Sequence, residues 1–451
     1  MKFYYNYGRF FEFLPLDAAE RSLSQELDFT GARFAPAFTI NGAGQRIVTL
    51  DANGAPIPVI DNAHLLSGTD AAGGLTNGIT VSASDLSAVT AGTKLGFQDE
   101  HIIGAEFQLP KNFVLSARFQ YRNLKRIVED MAVLSPEAAL AGVTQTYFIG
   151  NPGTKLDAAT NLVPFTFPLG GTAPAGCTSG FETEVADPVT GAPISNVCFA
   201  QTGINPITGA SINSPDGIPD GFANPVRKYK AFELEVNKRF SDGWQLLSNF
   251  RVATLKGNYE GHLRNDNGQT DPGISSLFDF TEGQFNLLGD QFQVGYLNTD
   301  RRFISNIYGN YSFSKDHGFM GLGGRWLTGL NLGAGFHMES GIPISEYLPH
   351  PVYLNAGEIP VGGRGKLGRT PYFAQLDLHA DYPWVINDRA KVSFIADFFN
   401  VTNNRRLRLP DQFRQLDLGA NNPDFLQPSI ISLTSGYHLP FSVRLGMRFE
   451  F

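Results

Sequence analysis

Apolar and polar residues alternate with a strict period of two along the last twelve residues of the chain, 440–451. In an extended strand, this period puts the apolar side chains on one face and the polar side chains on the other. A strand with one apolar face and one charged face is typical of a wall between lipid and a water-filled interior. The apolar face carries Phe441, Val443, Leu445, Met447, Phe449 and Phe451, and the polar face carries Ser442, Arg444, Gly446, Arg448 and Glu450.

The same alternation recurs upstream in pairs of runs joined by short turn sequences, which predicts β-hairpins. A hairpin is also predicted at the amino end, where residues 2–14 and 19–34 flank a turn at 15–17. Five hairpins and the terminal strand make eleven predicted strands. The other four pairs of runs are 103–109 with 113–122, 232–237 with 244–252, 303–313 with 326–336, and 372–382 with 392–398.

The connections alternate between short turns and long loops, and loops of this length are uncommon in compact soluble domains. Outer-membrane barrels have short periplasmic turns and long extracellular loops. The sequence therefore predicts an all-β fold, an antiparallel transmembrane β-barrel with aromatic residues at both membrane interfaces. Long loops are predicted at 36–96, 134–226, 262–298, 346–369 and 402–439, and the interfacial aromatic residues are Trp244, Trp326, Tyr372, Tyr382 and Trp384.

The number of predicted strands bears on how the barrel closes. An odd number of antiparallel strands leaves the first and last strands running in the same direction, here from the long-loop side to the short-turn side. Such a set cannot close into a barrel alone. The amino end also lacks the charged start, apolar core and cleavage site of a signal peptide. We therefore expect residues 1–451 to be the carboxy-terminal part of a longer barrel protein.

Composition agrees with this fold and narrows the possible partners. No run of about 18 consecutive apolar residues occurs, which argues against transmembrane helices. The net charge of −8 and the pI near 5.5 argue against nucleic acid as a partner, because phosphate binding needs clustered Lys and Arg. Residues 134–226 contain seven acidic residues and one lysine, so this predicted loop holds six of the eight net negative charges.

Both cysteines, Cys177 and Cys198, lie in the same acidic segment. We predict that they form a disulfide that closes a surface loop, in an oxidising compartment. Metal or redox chemistry is not indicated, because no C-x-x-C motif or Cys/His cluster accompanies them.

No motif in the chain supports catalysis, and we predict that the protein is not an enzyme and needs no cofactor. The eight histidines are scattered, and no G-x-S-x-G motif occurs. Residues 362–370 (GGRGKLGRT) resemble a phosphate-binding loop, but Leu367 stands where Ser or Thr is required. Asp216 and Asp220 in NSPDGIPD suggest a calcium loop, although a Pro/Gly turn explains the same residues more simply.

Charged residues share the polar faces of several predicted strands. One interpretation is a charged lumen that contacts a passing solute; the other is that a wet interior needs paired charges. The predicted lumen-facing residues are Arg118, Arg122, Arg251, Asp397, Arg444 and Arg448.

Several stretches, in order along most of the chain, resemble the TonB-dependent outer-membrane receptors, and the Oar-like branch in particular. The stretches that carry the resemblance are YGRFFEFLPLDAAERSLSQ, FQDEHIIGAEFQLPKNFVLSARFQYRNLKRIVEDM, RKYKAFELEVNKRFSDGWQLLSNF, DRRFISNIYGNYSF, ESGIPIS, RGKLGRTPYFAQLDLHADYPW, VSFIADFFNVTNNR and PFSVRLGMRFEF.

The resemblance implies a barrel of about 22 strands, of which this chain would hold the last eleven or so, with the plug and TonB box elsewhere. It implies energised uptake of a solute and, as partners, outer-membrane lipid, TonB through the plug region, and the barrel-assembly machinery. That machinery would recognise Phe441, Val443, Leu445, Phe449 and Phe451. The alternatives are a passive porin-like or adhesin-like barrel that stands alone, and a soluble secreted all-β protein. The exposed apolar faces disfavour the last.

Overall fold

Ten long strands form one antiparallel sheet in the computed structural model of the chain. We number them in chain order as Lys2–Phe11 (β1), Phe97–Leu109 (β2), Phe113–Arg126 (β3), Arg227–Ser241 (β4), Trp244–Gly257 (β5), Phe303–Ser312 (β6), Asn331–Glu339 (β7), Phe373–Asn387 (β8), Ala390–Phe399 (β9) and Ser442–Glu450 (β10). The structure describes residues 1–12, 27–31, 38–40, 46–48, 52, 79–83, 88–132, 136, 147–157, 164–172, 183–186, 190, 192–199, 219–264, 267, 278–282, 287–314, 327–354, 356–387, 390–429 and 436–451.

Each long strand pairs with its neighbour in chain order, so the sheet is an antiparallel meander from β1 to β10. The two-residue strand Gly295–Tyr296 extends the sheet by pairing with Lys256 and Gly257 of β5. The all-β antiparallel fold predicted from the alternation is therefore confirmed.

Short strands in the connections form small separate sheets. One 3-10 helix, Gly289–Phe292, lies among them. In the described part of the chain, no helix has both the length and the apolar character needed to span a membrane. The short strands are Leu27–Gly31, Phe38–Ile40, Arg46–Val48, Ile79–Ala83, Ala88–Val89, Glu129–Ala132, Tyr147–Gly150, Pro164–Phe167, Thr183–Ala186, Pro193–Phe199, Tyr347–Leu348, Ile359–Pro360, Gln415–Asp417 and Ala420–Asn421.

The hairpin predicted at the amino end is wrong. β1 pairs with β2, from Lys2 opposite Glu106 to Phe11 opposite Phe97, and the intervening residues 12–96 form one connection. Within the predicted second strand, the described residues Leu27–Gly31 pair with Ile79–Ala83 in a separate two-stranded sheet. Local alternation identified a strand but could not identify its partner, because pairing is decided by contacts distant in sequence.

This correction changes the strand count and the direction of the first strand. The described wall has ten long strands rather than eleven, and β1 runs toward the long connections while β10 runs away from them. The first and last strands are therefore antiparallel, and the argument from an odd number of strands no longer applies. The other four predicted hairpins are present, as β2–β3, β4–β5, β6–β7 and β8–β9.

Short turns join β2 to β3, β4 to β5 and β8 to β9 at one end of the sheet, and the longer segment 313–330 joins β6 to β7 at the same end. In the β4–β5 turn, Asp242 and Gly243 both have positive φ, 53° and 80°. Two successive residues of this conformation fit a type I′ turn, whose twist matches that of the flanking strands. In the β2–β3 turn, Lys111 and Asn112 likewise both have positive φ, 58° and 64°.

The register of the sheet separates the side chains into an apolar face and a polar face, and these two names are kept below. On the apolar face, Tyr5, Ile103, Phe119, Phe232 and Val252 lie opposite one another across the first five strands. Their side chains are exposed, and on β10 Leu445 and Met447 are 76% and 75% exposed. A continuous exposed apolar surface of this kind marks contact with lipid or a partner rather than with water.

The described long connections pack together at one end of the polar face. Leu124 at the end of β3 packs there with Ile127, Tyr259 and Phe278 in a buried cluster. Phe292 joins this cluster to a second one around Phe280, Leu288, Leu348 and Ile359. We call these two joined clusters the loop core.

We expect Gly243→Val to destabilise the sheet by about 1 to 2 kcal/mol, because a β-branched residue is strained at positive φ. Urea unfolding of the chain refolded in lipid vesicles would measure the change. Gly309→Ala in β6 is the matched control, since an added Cβ there meets its nearest atom at 3.7 Å, an ordinary contact. Equal midpoints for the two variants would contradict the turn assignment.

Candidate functional site

Charged side chains lie opposite one another on neighbouring strands of the polar face. Arg118 of β3 lies opposite Glu233 of β4, which lies opposite Arg251 of β5. Following the register through β6 and β7 to β8 and then β10 puts Asp397 and Arg444 on this same face. All six residues predicted to face a lumen therefore share one face of the sheet.

Arginines on β3 pair with carboxylates on both neighbouring strands. The Nε of Arg118 donates to Glu233 Oε2 at 2.6 Å, and its guanidinium also lies 3.7 Å from Glu235. Arg122 donates to Glu100 of β2, whose same oxygen accepts from Gln120 at 2.6 Å. These pairs cross three strands, so they fix the register of the sheet as well as balancing charge.

A second network connects β8, β9 and β10. Asp397 accepts from Arg444 Nε at 2.9 Å, and its other oxygen lies 2.6 Å from His379 Nδ1. Farther along β10, Arg448 Nε lies 2.8 Å from Glu450, whose carboxylate also lies 2.7 Å from Lys391 Nζ. The carboxylate of Asp397 is almost fully covered while Arg444 is largely exposed, so the arginine presents its charge to the space over the polar face.

Arg251 differs from the other five predicted residues. It lies opposite Glu233, but Glu233 already accepts from Arg118, and the buried Nε of Arg251 has no hydrogen-bond partner in the described part of the chain. Exposed donors on this face, such as the guanidinium of Arg444, can bind and orient polar or charged groups.

The loop core contains a buried polar network at the long-loop end. The Tyr353 hydroxyl donates to Asp279 Oδ2 at 3.0 Å, and the Tyr147 hydroxyl lies 2.6 Å from the Tyr353 hydroxyl. Burial, together with the negative charges of Asp130 and Glu129, raises the pKa of Asp279 well above its usual range. A neutral carboxyl is the form that this environment favours, since an isolated buried carboxylate is costly.

His350 lies beside this network with no exposed surface. Its Nδ1 accepts from the backbone N–H groups of Val352 and Tyr353, both at 3.1 Å, and its ring stacks on that of Tyr353 at 4.6 Å. Burial and the nearby charge of Arg264 lower the pKa of His350 to about 3. The imidazole is therefore neutral and serves as a hydrogen-bond acceptor for its own turn.

Arg264 is also fully buried, and it donates to the side chain and backbone carbonyl of Glu358. Asn267 donates to the other oxygen of Glu358 at 3.2 Å. This ion pair joins the β5–β6 connection to the β7–β8 connection. Removing either partner would leave a buried charge uncompensated.

The glycine-rich segment 362–370 has a structural position and does not form a phosphate cradle. Arg364 is buried, with Nη1 donating to the Gln291 carbonyl at 2.6 Å, and Arg369 pairs with Asp300. Gly365, at φ 73°, lets the backbone pass between Tyr296 and Pro343, which an added Cβ would approach at 3.0 and 3.1 Å. The segment thus anchors the β7–β8 connection to the residues that precede β6.

Four groups of predicted site residues stay predictions. Cys177 lies outside the described residues, and Cys198 lies opposite Phe165 in a small sheet. Asp216 also lies outside the described residues, Asp220 is buried, and no group of three metal-ligating side chains occurs in the described part of the chain.

Of the interfacial aromatic residues, Trp326 is not described, whereas Tyr372 and Trp384 are exposed. The terminal residues Phe441, Val443, Leu445, Phe449 and Phe451 are exposed, and their role as an assembly signal is untested.

Sequence reasoning missed the loop network of Arg264, Asp279, His350, Tyr353 and Glu358. These residues have no shared spacing, and they come from connections in which no periodic pattern applies. The only local signal was that polar residues lie beside aromatic ones at 278–280 and 347–353.

Comparison with curated proteins finds a relative that is similar along most of the chain. The chain is 24% identical to the TonB-dependent transporter Oar of Myxococcus xanthus over 411 residues, which are 91% of this chain and 30% of that protein. The chain thus spans less than a third of the curated relative that it matches. No protein-family model matches the chain.

Solved structures give more distant likenesses. FpvA of P. aeruginosa, bound to heterologous pyoverdines, matches with a TM-score of 0.35 and 11% identity, over 80% of this chain and 28% of that one. The ferric-catecholate import receptor Fiu of E. coli matches with a TM-score of 0.34 and 9% identity, over 79% and 28%.

We expect the turn around His350 to weaken on acidification. An unfolded imidazole takes up a proton near pH 6.5, whereas the folded one does so only near pH 3. The stability that neutral His350 gives the folded turn is therefore complete above pH 6.5 and declines below it. At pH 5 the loss is about 2 kcal/mol. Amide hydrogen exchange at Val352 and Tyr353 would measure it at pH 7 and pH 5.

The control is His350→Asn, which keeps an acceptor for the two N–H groups but does not titrate. Its protection should change less between the two pH values. An identical pH response in the native chain and the variant would show that another group is responsible.

Proposed function

We infer that this chain, a member of the TonB-dependent outer-membrane receptors and similar to their Oar branch, forms part of the wall through which such a receptor imports a solute. The observation that carries this inference is the similarity to Oar along 91% of the chain. The separation of an exposed apolar face from a polar face in the same residues supports it physically.

The apolar face explains the location in the bacterial outer membrane. Side chains such as Phe3, Ile103, Leu445 and Met447 would each lose about 2 kcal/mol of favourable transfer free energy if they stayed in water. Lipid hydrocarbon removes this cost without a protein partner. The closed antiparallel wall of a barrel also leaves no backbone group unpaired in the bilayer.

The polar face supports a role as the inner surface of the pathway. Ion pairs such as Arg118–Glu233 and Arg444–Asp397 keep charged side chains fixed in a wet interior while leaving donors exposed to a passing solute. Fixed and nearly balanced charges suit a polar solute that must bind weakly and move on.

Energy-driven transport would be an activity of the whole receptor and not of this chain alone. This chain covers 30% of Oar, so we propose that the plug and the TonB box of a complete receptor come from sequence other than these 451 residues. TonB would then act on those parts, and the wall described here would serve as the fixed frame.

We expect alternate positions on β10 to differ in their surroundings. With both native cysteines replaced by serine, nitroxide labels at Leu445→Cys and Met447→Cys should be relaxed mainly by oxygen dissolved in lipid. Labels at Arg444→Cys and Arg448→Cys should be relaxed mainly by a water-soluble nickel chelate. The measurement is electron paramagnetic resonance of the full chain in lipid vesicles. The opposite pattern, or no alternation, would rule out the lipid-facing wall.

A second experiment separates the receptor from a passive pore and from an adhesin. The full-length product of the gene that encodes this chain should be retained by the purified periplasmic domain of TonB. It should also show no steady conductance in a planar bilayer, because a plug closes a TonB-dependent barrel. Steady conductance without TonB would indicate a porin, and a silent barrel that does not bind TonB would indicate an adhesin.

A further inference from the structure

Three lysines, Lys228, Lys230 and Lys256, lie on the apolar face at its long-loop end. They alternate with polar-face residues of β4 and β5, and Lys228 lies directly opposite Lys256. The burial of their neighbours confirms the direction, because Leu255 is buried at 8% exposure on the polar face while Lys256 is exposed. We call these three residues the lysine cluster.

The lysine cluster lacks the carboxylate partners that arginines of the polar face have. No described carboxylate lies within 4.0 Å of any of the three ammonium groups, whereas Arg118, Arg122 and Arg444 are all paired. Across the strands, the residues in line with Lys228 and Lys256 include one carboxylate, Asp99 of β2. That carboxylate accepts a hydrogen bond from Arg9 of β1 at 2.8 Å. Two like charges opposite each other destabilise a sheet unless an anion lies between or above them.

Aromatic rings contact two of the three lysines. Lys256 Nζ lies 4.4 Å from the centre of the Tyr296 ring, and Lys230 Nζ lies 5.8 Å from that of Tyr121. Tyrosine and lysine together are typical of the boundary between lipid hydrocarbon and headgroups.

A groove opens on the apolar face directly beside the cluster. Its volume is about 420 Å³, and Lys230 forms one edge of it. The walls are mainly apolar and aromatic, which suits an acyl chain whose headgroup lies against the lysines. The other lining residues are Tyr5, His101, Ile103, Phe119 and Tyr121.

The cluster is confined to one sector of the wall. From β6 to β10, the apolar face carries no lysine or arginine among the described residues. At the short-turn end of β4, Lys238 lies on the apolar face but is buried, and its Nζ donates to Ser241 and Trp244 within the chain. Three exposed lysines with no carboxylate partner among the described residues therefore form a local site rather than a ring common to the whole rim.

We propose that the lysine cluster binds the phosphate groups of an anionic lipid in the outer leaflet of the outer membrane, with an acyl chain in the adjacent groove. The inference rests on the proposed function, because it needs the apolar face to meet lipid and the long loops to be extracellular. Surface lysines attract anionic lipid headgroups by charge. Free phosphate could use the same ammonium groups but would leave the groove empty.

The test uses the full chain in phosphatidylcholine nanodiscs that contain diphosphoryl lipid A, with bound lipid counted by native mass spectrometry. The double variant Lys228→Gln with Lys256→Gln should weaken lipid A retention about thirtyfold. Lys228→Arg with Lys256→Arg should retain it. The matched control is Lys111→Gln with Lys155→Gln, two exposed lysines away from the cluster, which should bind like the native chain.

Added inorganic phosphate should not displace the lipid, and phosphatidylcholine alone should not be retained. Unchanged retention in the Lys228→Gln, Lys256→Gln variant, or an equal loss in the control, would overturn the proposal. Displacement by inorganic phosphate would point to a simple anion site instead. If the proposed function is wrong and the sheet does not face lipid, the nitroxide labels on β10 would show no alternation between lipid and water. That result is independent of the lipid A measurement.

Discussion

The antiparallel hydrogen-bond ladder is the constraint on which the rest of this structure depends. Because each residue of a strand faces opposite to the next, the ladder turns one alternating sequence into two chemically different surfaces. A shift of one residue between β3 and β4 would move Arg118 to the apolar face and Phe119 to the polar face. The ion pairs across the strands resist such a shift, so charge pairing and register support each other.

The two faces differ in how their charged side chains are paired. On the polar face, Asp397 is shared by His379 and Arg444, and Glu100 is shared by Arg122 and Gln120, so most charges are balanced inside the protein. On the apolar face, the charged residues are confined to the first five strands, and no described carboxylate lies within 4.0 Å of the lysine cluster at the long-loop end. A wall between lipid and water accounts for both patterns, since lipid headgroups supply anions only at the membrane surfaces and not in the hydrocarbon.

The loop core adds a different kind of stability. Its polar residues are buried in pairs and triads, such as Arg264 with Glu358 and Tyr353 with Asp279, which tie separate connections together. Such networks contribute little net energy over apolar packing, but losing one member is costly. They are suited to holding long connections in one arrangement over the polar face.

The alternation along the chain was enough to predict the all-β fold, four of the hairpins and the face on which Arg118, Arg251 and Arg444 lie, because side-chain direction in a strand is a local property. The partner of β1 was not predictable in this way, since 85 residues separate it from β2. The surroundings of His350 and Asp279 were also decided only by tertiary structure. Their pKa shifts come from burial and from charges distant in sequence, neither of which a periodic pattern contains.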